Sequence, residues 1–119
     1  MVDSAKALQK LWKDSLTVTE YVKKASPDGA SVKFEEAVVL AGQPCKLSFV
    51  TLKFSSPNGG AVQTGQIVKL FLDKGVPIKP GSKLAVRRGG SEFVFRQSGL
   101  PGIFSHHQEI LLVPFEGWA

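Results

Sequence analysis

Two apolar-rich runs flank a segment that carries no charge at all, and this arrangement limits the folds open to the chain more than any other feature. Cys45-Lys46-Leu47-Ser48-Phe49-Val50-Thr51-Leu52-Lys53-Phe54 precedes the segment, and Gln66-Ile67-Val68-Lys69-Leu70-Phe71-Leu72 follows it. Both runs are rich in the β-branched, aromatic and aliphatic residues that suit strands. Between them lies Ser55-Ser56-Pro57-Asn58-Gly59-Gly60-Ala61-Val62-Gln63-Thr64-Gly65. Hairpin loops normally take about two to five residues, so this connection is too long for a tight turn. Long loops on a compact scaffold tend to carry function, which makes Ser55 to Gly65 the first candidate site.

The rest of the chain repeats the strand signal. Leu16, Val18 and Tyr21 alternate with Thr17, Thr19 and Glu20, and Ser26-Pro27-Asp28-Gly29 supplies a turn in which Pro presets φ and Gly accepts a positive one. Val32 to Leu40 returns, with Glu35-Glu36-Ala37 as a candidate bulge and Ala41-Gly42-Gln43-Pro44 as its end. Lys83 to Arg87 and Glu92 to Arg96 form a hairpin around Arg88-Gly89-Gly90-Ser91, and Glu109 to Phe115 is the last strand. In Cys45 to Phe54 and Ile67 to Leu72 both faces are partly apolar, which fits strands covered on two sides. Only the beginning reads as helix. Leu8, Leu11 and Trp12 recur at helical spacing from about Ala5 to Lys13, with Ser4 as a cap. So short a helix needs a surface to dock on, at home or on a partner.

These elements predict a mainly β protein: a small β-barrel or sandwich of six to seven short strands, with a long inter-strand loop and a short N-terminal helix. The 119 residues make one domain, with residues 1–15 as a helical segment and 16–119 as the β body. No apolar run approaches the ~20 residues that span a bilayer, and the polar start Met1-Val2-Asp3-Ser4-Ala5-Lys6 lacks the apolar core of a signal peptide. No membrane association is expected. Cys45 is the one cysteine and reads as a small buried hydrophobe.

No arrangement of residues looks catalytic. Phosphate-cradling Gly-rich patterns are absent, since neither Gly59-Gly60 nor Gly89-Gly90 leads into Gly-Lys-Ser/Thr. His106-His107 would diverge on a strand, and no second pair of ligands stands at metal spacing, although Glu109 could share a face with His107. Glu35-Glu36 diverge in the same way. A binding or structural role without enzyme activity, metal or cofactor is the expectation. Charge offers one further hint. Between Ala37 and Ser91 stand eight bases (Lys46, Lys53, Lys69, Lys74, Lys79, Lys83, Arg87, Arg88) against one acid, Asp73, a net +7. That centre fits either contact with a polyanion or the solvated face of strands.

Several segments taken in order resemble a known family. They are Val39-Leu40-Ala41-Gly42-Gln43-Pro44-Cys45-Lys46-Leu47-Ser48-Phe49, Gln66-Ile67-Val68-Lys69-Leu70-Phe71-Leu72, Ile78-Lys79-Pro80-Gly81-Ser82-Lys83-Leu84, His107-Gln108-Glu109-Ile110 and Phe115-Glu116-Gly117-Trp118-Ala119. The series looks like the head-completion proteins of long-tailed phages and prophages, also called head-closure or stopper proteins of the head–tail connector. The resemblance implies a virion protein assembled in the bacterial cytoplasm. It implies a homo-oligomeric ring, of six or twelve copies, built from chains that can be monomeric in isolation. Portal and adaptor rings would lie above it, tail proteins below it, and packaged double-stranded DNA would be met non-specifically. In that family a long loop between two central strands plugs the channel. Here the matching positions are about Ser55 to Gly65, with Lys53 and Lys69 at the loop base and lining the channel. Physical reasoning alone suggests Leu8, Leu11 and Trp12 as a partner-docking surface. The alternative is an OB-like barrel that binds nucleic acid non-specifically, for which Phe93 and Phe95 would have to be exposed for base stacking.

Overall fold

The structure, a computed structural model, describes residues 7, 10–54, 59 and 63–118. Among these residues seven antiparallel strands form one sheet: β1 (Asp14–Ala25), β2 (Val32–Phe54), β3 (Gln63–Leu72), β4 (Lys83–Arg88), β5 (Ser91–Gln97), β6 (Gly102–Ile103) and β7 (Gln108–Pro114). Their order is β3-β2-β1-β4-β5-β7-β6, and β3 also pairs with β7. That pairing, Val68 with Leu112 through Leu72 with Gln108, makes a closed circuit of six strands in which each strand has two neighbours.

Alternation along the strands aims one set of side chains inward. Leu16 and Val18, Cys45 and Leu47, Leu70 and Leu72, Leu84 and Val86, Phe95, and Ile110 and Leu112 form one buried cluster. Each such side chain contributes about 1.5–3 kcal/mol of hydrophobic stabilisation.

The expected break at Ala41 to Pro44 does not occur. β2 runs unbroken for 23 residues and changes partner at Cys45, pairing with β1 before it and with β3 after it. Pro44 lies where β2 has only β1 beside it, and such an edge tolerates a missing N–H. The bulges lie elsewhere than Glu35–Ala37. The β1–β2 register slips between Leu16 and Val18 and again between Val18 and Thr19, which puts extra β2 residues near Gly42 and Val39. Gly42 has φ 69°, a conformation glycine adopts without strain.

Both expected hairpins form where the turn chemistry placed them. In the first, Gly29 N–H donates to Ser26 O at 2.9 Å and Ala30 N–H to Asp28 Oδ1 at 3.0 Å. In the second, Gly89 and Gly90 join Arg88 to Ser91.

The N-terminal helix is not supported. Among the described residues Ala7 alone is helical and no helical element is found: Lys10 and Leu11 form a turn, and Trp12 and Lys13 are irregular. Leu8 lies outside the described residues. Trp12, 7% exposed, is buried in its own chain, whereas Leu11 is 72% exposed. Leu11 and Trp12 therefore do not share one exposed face.

Candidate interaction surface

Two ribbons extend from the circuit, and β2 runs through both. β1 pairs with β4 only from Ser15 to Thr19, so beyond that point Glu20–Ala25 has β2 alone beside it. At the other end, β3 pairs with β7 only from Val68 onward, which leaves Val50–Phe54 and Gln63–Ile67 paired solely with each other. The Cα radius of gyration, 17.9 Å, exceeds the roughly 13.5 Å of a compact chain of this length, as two protrusions would require.

The first ribbon is amphipathic. Cross-strand register places Tyr21, Lys23, Val32, Phe34, Glu36 and Val38 on one face. Tyr21 stacks on Phe34 with centroids 5.4 Å apart, and Trp118 of the tail stacks on Tyr21 at 4.8 Å. Trp118 Nε1 donates to Glu36 Oε1 at 2.9 Å, Lys83 Nζ reaches the same oxygen at 3.1 Å, and together they hold the Glu36 carboxyl below the usual range. Even so, Phe34 stays 56% exposed, and Val32 and Val38 are exposed beside it. The opposite face is ionic: Lys24 pairs with Glu35 at 3.2 Å and Lys79 with Glu20 at 3.8 Å. Glu35 and Glu36 thus diverge as their adjacency implied.

The second ribbon is fastened at its root. Phe49, Phe93 and Phe95 pack in series, with centroids 5.6 and 6.4 Å apart, and Arg88 lies 6.0 Å from the Phe49 ring. Arg88 grips Asp14 with two bonds of 3.0 and 2.8 Å and also donates to Leu47 O, while Leu47 N–H donates to Asp14 Oδ2 at 2.8 Å. Burial by itself would raise the Asp14 carboxyl, but these donors and the positive charges of Arg88 and Lys46 outweigh it and lower the pKa. Cys45 lies below this pair, and burial together with the Asp14 charge pushes its thiol up to about 12, which leaves it protonated and inert at neutral pH.

The loop is shorter than expected. Gln63, Thr64 and Gly65 belong to β3, opposite Phe54, Lys53 and Leu52. Gly59 is exposed with φ 74°, and Ser55, Ser56, Pro57, Asn58, Gly60, Ala61 and Val62 lie outside the described residues. Lys53 stands exposed at the loop base. Lys69 does not: it lies opposite Ser48, five pairs from Lys53 and about 17 Å further along the strand, and it pairs with Glu109 at 3.6 Å.

Other sequence candidates resolve into packing. Phe95 is buried and Phe93 packs against the core, so the pair offers no exposed stacking platform for an OB-like reading. The histidines lie in the bend before β7, not on a strand. His107 Nε2 bonds Glu109 Oε2 at 3.0 Å and its ring stacks on Phe104, while His106 is exposed. Among the described residues no three His, Cys, Asp or Glu side chains come together as a metal site, and no helix is long and apolar enough to cross a membrane. The basic centre is largely neutralised. Five of its eight bases pair with acids that all come from the flanking segments: Lys69 with Glu109, Lys79 with Glu20, Lys83 with Glu36, Arg87 with Glu92 and Arg88 with Asp14.

The aromatic face of the first ribbon was missed from the sequence. Tyr21, Phe34 and Trp118 are far apart in the chain, and only the hairpin register with the returning tail joins them.

No family model matches the chain, and no curated protein sequence matches it. Among solved structures, the phage-like element PBSX protein xkdH from Bacillus subtilis shares the fold. The match has a TM-score of 0.53 and covers 86% of this chain and 93% of that one at 12% identity.

Proposed function

We propose that this chain is a structural virion protein of a phage head–tail connector, with no enzymatic activity. In this reading its closed circuit is a small β-barrel. Copies form a ring between the portal–adaptor rings and the tail, and the second ribbon carries residues 55–62 into the DNA channel as a plug. Three things support the reading: the ordered sequence resemblance, the fold shared with a protein of a phage-like element, and the geometry of the β2–β3 ribbon. The ribbon is the observation that carries it. A plug must reach beyond the body of its subunit, and Val50–Phe54 with Gln63–Ile67 extends about 17 Å past the last pairing with β7 before the loop begins. The loop sequence holds no Lys or Arg, so it would block DNA without binding its phosphates.

The test is DNA retention. Particles assembled with a chain lacking residues 58–62 should package DNA and then lose it, while incorporating the chain normally. Full retention by particles that contain the shortened chain would remove the plug role.

A further inference from the structure

β2 carries an open edge. From Val32 to Pro44 it pairs with β1 alone, and β3 joins it only at Cys45. The hydrogen bond from Ser26 N–H to Ser31 O, 2.8 Å, sets the phase of the β1–β2 ladder. Lys24 with Lys33, Val22 with Glu35 and Glu20 with Ala37 then exchange backbone bonds, and Val32, Phe34, Glu36 and Val38 turn their N–H and C=O groups away from β1. No strand among the described residues lies beside those groups. Bulges and prolines blunt an edge, and here both are confined to the far half, near Val39 and Gly42 and at Pro44. Val32–Val38 keeps a regular register, and Val32, Phe34 and Val38 are exposed along it. What guards this half is charge alone, and the charge pattern is self-complementary.

An open edge selects an extended chain, because a strand meets its alternating N–H and C=O groups. The sequence of the edge selects which one. When two copies pair antiparallel, residues with outward backbone groups must lie opposite one another. Centred on Phe34, the pairing puts Lys33 of each copy across from Glu35 of the other, and Val32 across from Glu36. Centring it on Lys33, Glu35 or Glu36 sets like charges face to face, which is unfavourable. Centring it further along runs into the bulge near Val39. Lys33 gains most from the Phe34 register. Within its own hairpin it lies directly across from Lys24, and Lys24 takes Glu35 at 3.2 Å. Lys33 has no ion pair among the described residues, so Glu35 of a second copy supplies the charge that its own chain does not. On the other face Phe34 is the outer end of the Trp118–Tyr21–Phe34 stack, and the same register joins two such stacks end to end.

We infer that two copies of this chain pair edge to edge through Val32–Val38, antiparallel about a twofold axis at Phe34. Their first ribbons merge into one four-stranded sheet. The contact is isologous, so it closes in a dimer and builds no ring. It describes the free chain and stands apart from the proposed function. A single strand edge buries less than the roughly 1,200 Å² of stable interfaces, so the dimer is a weak one that forms in concentrated solution.

Sedimentation equilibrium of the concentrated full chain tests it, with unfolding curves confirming that each variant folds. The unmodified chain should show a concentration-dependent dimer. Lys33→Glu and Glu35→Lys each set like charges across the axis and should weaken the dimer roughly tenfold. An equimolar mixture of the two variants restores opposite charges at both contacts and should dimerise as the unmodified chain does. The register is read separately with cysteines. The two Phe34 positions would stand about 5.5 Å apart at Cα, within disulfide reach. Phe34→Cys should therefore oxidise to a linked dimer and Val38→Cys, similarly exposed, should not, since Cys45 is buried in both. An unmodified chain that stays monomeric at high concentration would overturn the inference. So would single charge variants that dimerise as the unmodified chain does, a mixture that stays monomeric, or equal disulfide yields from the two cysteine variants.

Discussion

The first ribbon, Glu20–Ala25 against Val32–Ala37, is tied to the rest of the chain by its own root residues Glu20, Tyr21 and Glu36, and the second, Val50–Phe54 against Gln63–Ile67, is held only through residues beneath it. Trp118, Lys79 and Lys83 reach across to Tyr21, Glu20 and Glu36 on the first. The second leaves the body above Phe49, Arg88 and Asp14, and among its described residues no ion pair or ring contact joins Val50–Lys53 back to the body. An isolated two-stranded hairpin is marginal in water, so each ribbon needs outside support. The first obtains it from its own chain. The second has support only at its base, which suits an element that meets its partners in an assembly.

The comparison is most sharply tested at that base. Asp14→Ala leaves the Arg88 guanidinium and the Leu47 N–H without their carboxylate, and should cost about 2–4 kcal/mol in urea unfolding. The same carboxylate sets an acid limb. Its folded pKa lies below the ordinary 3.8, so its contribution is present above that value and is lost as pH falls through the folded one. Asp14→Asn should flatten this part of the stability profile below pH 4. A native-like midpoint for Asp14→Ala would show that the second ribbon is rooted by the aromatic series alone.

Trp118→Ala acts on the other ribbon. Losing the Tyr21 stack and the bond to Glu36 should cost about 1–2 kcal/mol. Amide exchange should quicken at Tyr21–Lys24 and Phe34–Ala37 and stay unchanged at Val50–Lys53. Equal quickening in both ribbons would erase the distinction between them.

Charge reversal separates two lysines that the sequence had grouped. Lys69→Glu places like charges beside Glu109 and should cost about 0.5–1 kcal/mol, while Lys53→Glu should leave the unfolding midpoint in place. The loop belongs at the same small end of the scale. Removing residues 58–62 should move stability by no more than about 0.5 kcal/mol, because loop-closure entropy changes slowly with length. A larger loss would mean that the loop packs as core.

Local chemistry made much of this fold legible in the sequence. Ser26-Pro27-Asp28-Gly29 and Gly89-Gly90 formed the turns they encode, and alternation correctly put Leu47, Leu70, Leu84 and Ile110 on strands. Long-range register was not legible. Gly42 and Pro44 look like a strand end, yet β2 passes through them by a bulge and an edge position, because it changes partner there and needs no break. Gln63–Gly65 reads as loop by composition but is recruited into β3 by pairing with Leu52–Phe54. The pairing of charges was not legible for a related reason: acids from outside the basic centre fold back onto it, which a count along the chain does not see. For the same reason the Tyr21–Phe34–Trp118 face, the foremost candidate surface in the structure, left no local signal.

The central claim is that the second ribbon points at the channel axis. Electron cryomicroscopy of the assembled head–tail connector tests it directly. The account predicts a ring of this chain below the adaptor, with Lys53 and residues 55–62 nearest the axis. Finding residues 55–62 on the outer rim, away from the DNA path, would contradict it even if the ring itself were present.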